Sequence, residues 1–127
     1  MKKLILHCSD SANPLHGVDE IRRWHVEERG WSDIGYHWVI ERDGSLKAGR
    51  PENIQGAHTL GHNKDIGLCM CGKSGSFTTE QRKTLEKFVV DNYDKINGVF
   101  QHSDFEKKKP FCAGFTESQM NYLKSLV

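Results

Sequence analysis

His7 closes the first apolar run of this 127-residue chain, Leu4-Ile5-Leu6, and His102 closes another, Val99-Phe100-Gln101, 95 positions later. Cys112 follows at the end of a basic loop that ends Lys107-Lys108-Lys109-Pro110-Phe111. Two imidazoles and a thiolate are enough protein ligands for a catalytic zinc ion, which takes three and leaves a fourth position for water. No contiguous zinc-finger spacing produces this set. Only a fold that joins its two ends assembles it. On spacing alone, strand-end histidines are more often ordinary core or surface residues.

The rest of the composition narrows the class. A chain of this length fits one domain, residues 1–127, with no room for a linker and a separate cell-wall-binding module. The net charge of +1 comes from mixed signs, so the basic footprint of a nucleic-acid binder is missing. Met1-Lys2-Lys3 resembles the start of an export signal, but the apolar run behind it stops at His7, short of the 7–15 residues such a signal needs. No stretch reaches membrane-spanning length. Four cysteines, Cys8, Cys69, Cys71 and Cys112, are expected to stay reduced in a chain made without export. Cys69 and Cys71, two apart on an apolar run, are expected on one face of a buried strand as packed thiols.

Periodicity sets out the elements. Lys3–Cys8 is a strand that delivers His7 to the sheet end. Val18, Ile21, Trp24 and Glu28 recur at helical spacing, predicting a helix over Val18–Arg29 that stops at Gly30. Residues 36–40 and 46–49 read as a hairpin turned at Asp43-Gly44. By alternation Tyr36 and Trp38 share one face, and His37 points to the other as a structural residue. A strand over 66–72 follows a glycine-containing loop. Thr78 with Gln81 opens a capping box, with Leu85, Phe88, Val89 and Tyr93 as the buried stripe behind it. Val99–Gln101 is a last strand, and Thr116 with Gln119 opens a last helix carrying Met120, Leu123 and Val127. Strand, helix, hairpin, strand, helix, strand, helix predicts a single α/β (α+β) domain, a central mixed sheet with helices on its faces.

Leu6-His7-Cys8-Ser9, Gly35-Tyr36-His37, Arg42-Asp43-Gly44, Gly56-Ala57-His58 and Ile66-Gly67-Leu68 occur in an order and spacing that resembles the type-2 N-acetylmuramoyl-L-alanine amidases. That family includes small phage endolysins and the animal peptidoglycan recognition proteins, and the resemblance spans roughly Lys3 to Phe115. It implies that His7, His102 and Cys112 are zinc ligands. It implies further that Tyr36 stands beside the metal, where a phenol hydrogen-bonds the attacking water or the developing oxyanion. Many phage-type members carry a lysine two residues before the zinc cysteine. Here that position is Pro110, and Lys109 is the candidate for the same role. A run of three lysines is otherwise simply a solvated turn.

The resemblance also implies a substrate groove beside His58, the Trp31–Gly35 loop and the Phe111–Phe115 segment. His58 is expected to touch substrate or to support the neighbourhood of a zinc ligand, and Asp104 to orient an imidazole. A competing closed set, His58, His62, Cys69 and Cys71, would be a structural zinc site. The implied activity is zinc-dependent hydrolysis of the amide between the lactyl group of N-acetylmuramic acid and L-alanine. Peptidoglycan is the expected partner, with no nucleic acid, no stable membrane association and a monomeric state. Synthesis in the cytoplasm and action on the wall after release fit a phage or prophage endolysin. The rival is a non-catalytic peptidoglycan recognition module, against which the presence of Cys112 argues.

Overall fold

Residues 1–127 are described by a computed structural model. Five strands form one sheet in the order β3-β2-β4-β1-β5: β1 (Lys2–Cys8), β2 (Trp38–Ile40), β3 (Leu46–Ala48), β4 (Ile66–Met70) and β5 (Ile96–Gln101). β1 pairs in parallel with β4 and β5, β2 pairs in parallel with β4, and only the β2–β3 hairpin is antiparallel. A parallel strand with neighbours on both sides is covered on both faces, which is why Leu4, Ile5 and Leu6 form an unbroken apolar run and are all fully buried. Each such side chain contributes about 2 kcal/mol of burial.

The crossovers explain the two layers of helix. β1 sends its connection along the sheet towards β2, whereas β4 sends its connection the other way, over β1 to β5. With crossovers of one hand, opposite directions put the helices on opposite faces. Accordingly α1 (Val18–Arg23) places Val18 and Ile21 with Ile34, Val39, Cys69 and Cys71. On the other face, α2 (Thr79–Asp91) and α3 (Glu117–Ser125) bury Leu85, Phe88, Val89, Met120 and Leu123 against Leu4, Leu6, Ile40 and Leu68. Both helices start at the predicted capping boxes. The Thr78 and Thr116 hydroxyls accept from the Gln81 and Gln119 amides, and each glutamine side chain accepts from the threonine amide. At the hairpin, Glu41 N–H closes onto Ser45 O at 2.9 Å while Gly44 adopts φ +90°.

Several boundaries differ from expectation. The helix predicted over Val18–Arg29 is α-helical only to Arg23, and Trp24–Glu28 is a π turn closed by Arg29 N–H to Trp24 O at 3.1 Å. β4 ends at Met70 and β5 begins three residues before Val99. Tyr93 lies beyond the end of α2 and is exposed, and Val127 is exposed past α3, where Leu126 packs instead. Tyr36 and Trp38 do not share a face: Trp38 packs with Phe88 and the α2 core, Tyr36 with the α1 cluster. The regular pleat begins only at Trp38, so alternation does not extend back to Tyr36.

Candidate metal centre

Parallel pairing brings the chain's extremities together. Leu6 lies opposite Gln101 in the β1–β5 register, so His7 and His102 leave the same end of adjacent strands. His102 opens a short 3-10 turn, His102–Asp104, and the loop beyond it returns Cys112 to the end of β1, where Cys8 N–H donates to Cys112 Sγ at 3.3 Å. His7 Nδ1 and His102 Nδ1 are 3.1 Å apart. Donor atoms of His7, His102 and Cys112 all lie within 4.8 Å of one another, and both imidazoles are buried.

Hydrogen bonding assigns the protons. His58 Nε2 lies 2.9 Å from the Asp65 carbonyl, which can only accept, so His58 Nε2 carries hydrogen and Nδ1 a lone pair. That lone pair faces His7 Nε2 at 3.1 Å, which makes His7 Nε2 the donor and leaves His7 Nδ1 free. Thr59 Oγ1 sits between them, 2.9 Å from His58 Nδ1 and 3.3 Å from His7 Nε2. Burial first, and then the neighbouring His58 and His102 rings, hold the pKa of His7 well below that of a free imidazole. His58 is likewise pushed down to about 4, chiefly by burial. Contact with the Cys8 thiol and then burial push the Cys112 thiol well up.

These features are a test of fit for a cation. The His7 Nδ1 lone pair faces His102 Nδ1 at 3.1 Å, and the Cys112 sulfur converges on the same point. A soft divalent cation converts the same lone pairs into ligation. His7, His102 and Cys112 therefore suit a metal ion in chemistry as well as in placement.

Beside these donors runs a groove of about 850 Å³, lined by His58, His102 and Cys112 together with Tyr36, Lys109 and Phe111. The Tyr36 ring centroid is 5.1 Å from that of His7. Burial, and then the Cys69, Cys112 and Cys8 thiols around it, raise the Tyr36 pKa well above an ordinary phenol, so its hydroxyl stays protonated as a donor. Lys109 is exposed on the turn before Cys112, its amide donating to Glu106 O and its carbonyl accepting from Cys112 N–H.

Trp31 and Phe115 depart from the expected groove lining, while Phe111 and Cys112 take their place in it. Trp31 turns away to stack on His25 beneath the Arg29 guanidinium, and Phe115 packs on Phe77 in the core. Trp24, His25 and Arg29 line the groove instead. The π turn that carries Trp24 and His25 is a feature frequent at functional sites, and periodicity could not have revealed it.

The remaining candidates also find their places. His37 is structural, as expected, with Nε2 donating to Ile54 O and Nδ1 accepting from Gly67 N–H. His58 bonds a predicted ligand directly, closer to the centre than expected. Asp104 does not orient an imidazole; its carboxylate caps the Gln101 amide at 2.9 Å. Glu106 stands beside His102 instead, Oε1 3.0 Å from Nε2. Its signal in the sequence was the four-residue spacing from a candidate ligand. The competing set disperses: His62 stacks on Phe105 and pairs with Asp65, while Cys69 and Cys71 are buried against α1.

Taken together, these elements define a small α/β domain with a His-His-Cys group able to hold a metal ion at the C-terminal ends of its parallel strands, opening into a groove. No protein-family model matches the chain. The endolysin of Escherichia phage T7 is 36% identical over 121 residues, covering 88% of this chain and 80% of the phage protein. Among solved structures, the N-acetylmuramoyl-L-alanine amidase LysC from Clostridium intestinale URNW aligns with a TM-score of 0.80 at 28% identity, covering 98% of this chain and 83% of that one. Apis mellifera PGRP-SA shares the fold, with a TM-score of 0.78 at 23% identity over 91% of this chain and 77% of its own. The chain belongs to the type-2 N-acetylmuramoyl-L-alanine amidase family, as a peptidoglycan amidase of the endolysin type.

Proposed function

We propose that this protein is a zinc-dependent phage or prophage endolysin that cleaves the amide between the lactyl group of N-acetylmuramic acid and the L-alanine of the stem peptide. The observation that carries this reading is the convergence of His7, His102 and Cys112 beside an open groove. Two imidazoles and a thiolate suit zinc among the common divalent metals. A zinc ion held there supplies Lewis-acid polarisation of an amide carbonyl and activation of water near neutral pH.

The chain's own residues supply the rest. Asp65 O, His58 and His7 form a relay that keeps His7 Nδ1 unprotonated and its ring fixed. Tyr36, protonated and buried at the groove, donates its hydroxyl hydrogen to the oxygen that gains charge as the amide carbon becomes tetrahedral. Lys109 brings an ammonium to the same rim, in place of the lysine that Pro110 displaces. The groove takes the peptide stem and the sugar-linked lactyl group on either side of the bond.

Purified protein, Cys112→Ser and Tyr36→Phe are to be compared for bound zinc and for clearing of cell walls, with the products analysed chemically. The reading requires zinc in the parent, new L-alanine amino termini matched by free lactyl carboxyls, and loss of both zinc and clearing in Cys112→Ser. Zinc-free clearing by Cys112→Ser at the parent rate overturns it. Tight binding of peptidoglycan without cleavage by the zinc-loaded parent would make the domain a recognition module.

A further inference from the structure

We infer that Glu106 is a positioning residue of the metal centre: its carboxylate fixes His102 with Nδ1 free and ties that histidine to the loop that backs His7. This rests on the reading of His7, His102 and Cys112 as metal ligands. The argument starts from the far side of the His102 ring. Nε2 is buried from solvent without a well-formed hydrogen bond, and the carboxylate oxygen Glu106 Oε1 stands 3.0 Å from it. A lone pair on Nε2 would face a carboxylate oxygen and be repelled. Hydrogen therefore sits on Nε2, and Nδ1, which faces His7 Nδ1, carries the lone pair.

The carboxylate is itself held. Leu60 N–H donates to the same Oε1 at 2.7 Å, a bond across 46 residues between the late loop and the His58–Thr59–Leu60 segment. Glu106 N–H donates in turn to His102 O at 3.0 Å, so its own backbone is locked onto the histidine it faces. His58 and Thr59, two and one residues before Leu60, are the groups that orient His7. One oxygen thus connects the supports of both imidazoles, and the two rings keep their spacing because the segments behind them are tied together. Carboxylates behind metal-bound imidazoles orient the ring and raise its basicity, and losing one typically costs 10–100-fold in metal affinity.

Two variants test the assignment. Glu106→Ala removes the acceptor, while Glu106→Gln retains an oxygen of the same reach but no charge. Zinc dissociation constants are measured on metal-free protein by competition with a chromophoric chelator, and the cobalt(II)-substituted forms are compared by visible absorption. Long-range proton–nitrogen spectra of the zinc-loaded parent report which His102 nitrogen carries hydrogen.

The expected result is hydrogen on His102 Nε2 in the parent, with zinc binding about 10–100-fold weaker in Glu106→Ala and weakened less in Glu106→Gln. The cobalt bands should be altered in both variants, and the melting temperature of the metal-free protein should move little. If both variants bind zinc within about twofold of the parent with unchanged cobalt bands, or if zinc affinity falls only in step with metal-free stability, the positioning role is wrong. A parent that binds neither zinc nor cobalt would instead overturn the metal reading itself.

Discussion

Gly67 lies directly against the imidazole of His58: a Cβ at that position would come within 2.5 Å of His58 Cγ and 2.6 Å of Cδ2. The close approach lets the ring lie over β4 with one nitrogen on Asp65 O and the other on His7. In Gly67→Ala either the ring or the strand must shift, at a cost of about 1–3 kcal/mol. We expect Gly67→Ala to fold with a lowered urea midpoint and to bind zinc at least several-fold more weakly, as measured by chelator competition. Parental zinc affinity in this variant would show that His58 does not support His7.

Gln81 is a polar residue with no exposure, and all of its side-chain capacity is used. Its Nε2 donates to Ile40 O at 3.1 Å and Cys71 O at 2.8 Å, and its Oε1 accepts from Thr78 N–H and the Arg42 guanidinium. The side chain therefore joins the start of α2 to the ends of β2 and β4. Gln81→Leu leaves the Thr78 amide without its partner, about 1–3 kcal/mol when buried, and strips one of two bonds from Ile40 O and Cys71 O, which keep Cys71 N–H and the Arg42 guanidinium. A loss of roughly 3 kcal/mol in urea unfolding is expected, larger than for Thr78→Ala, which removes a cap worth about 1 kcal/mol.

His25 makes stability depend on pH. Its Nδ1 accepts from Gly35 N–H at 2.8 Å, and burial, followed by the Arg29 and Arg50 charges, pushes its pKa from 6.5 down to about 4. The unfolded chain binds a proton at this residue first. Stability is then complete above the ordinary histidine range and is lost as pH falls from about 6.5 towards 4, by up to about 1.4 kcal/mol per pH unit. His25→Phe forfeits the Gly35 bond at every pH but removes this slope. With metal stripped by chelator, the parent should lose more unfolding free energy than His25→Phe between pH 7 and 5. Parallel losses would remove His25 as the source.

What could be read from the sequence was what local chemistry decides. Leu4-Ile5-Leu6 announced a strand, and Thr78 with Gln81 and Thr116 with Gln119 announced two helix starts that the hydrogen bonds bear out. His7, His102 and Cys112 were legible through the family resemblance more than through spacing. The misses came where distant segments set the geometry. Alternation presumes a pleat, and Tyr36 lies before one begins. Asp104 is nearer His102 in sequence than Glu106, yet the Gln101 amide captures its carboxylate while Leu60 N–H, 46 residues away, holds Glu106 in place. The π turn at Trp24–Glu28 has apolar and charged residues that an α-helix would also accept, so nothing in its periodicity distinguishes it.

Tyr36 and Lys109 divide the proposed electrostatic work unequally, because their surroundings differ. Tyr36 is held in a packed cluster, with its phenol kept protonated by burial and the neighbouring thiols. A donor fixed in a site poorer in water acts far more strongly than one in solvent, and removing one such donor costs about 10²–10³ in kcat. Lys109 is exposed on a turn, and bringing its ammonium to the reacting oxygen costs side-chain entropy. Tyr36→Phe should therefore lower kcat on soluble muropeptide by about two to three orders of magnitude, with zinc affinity unchanged because the phenol is not among the donor groups. Lys109→Met should lower kcat by about tenfold, an effect weakened in the parent by raised salt, since an exposed charge is screened. Steady-state kinetics with chelator titration of each variant checks the pair. A Tyr36→Phe enzyme with parental kcat would move the donor role elsewhere in the groove.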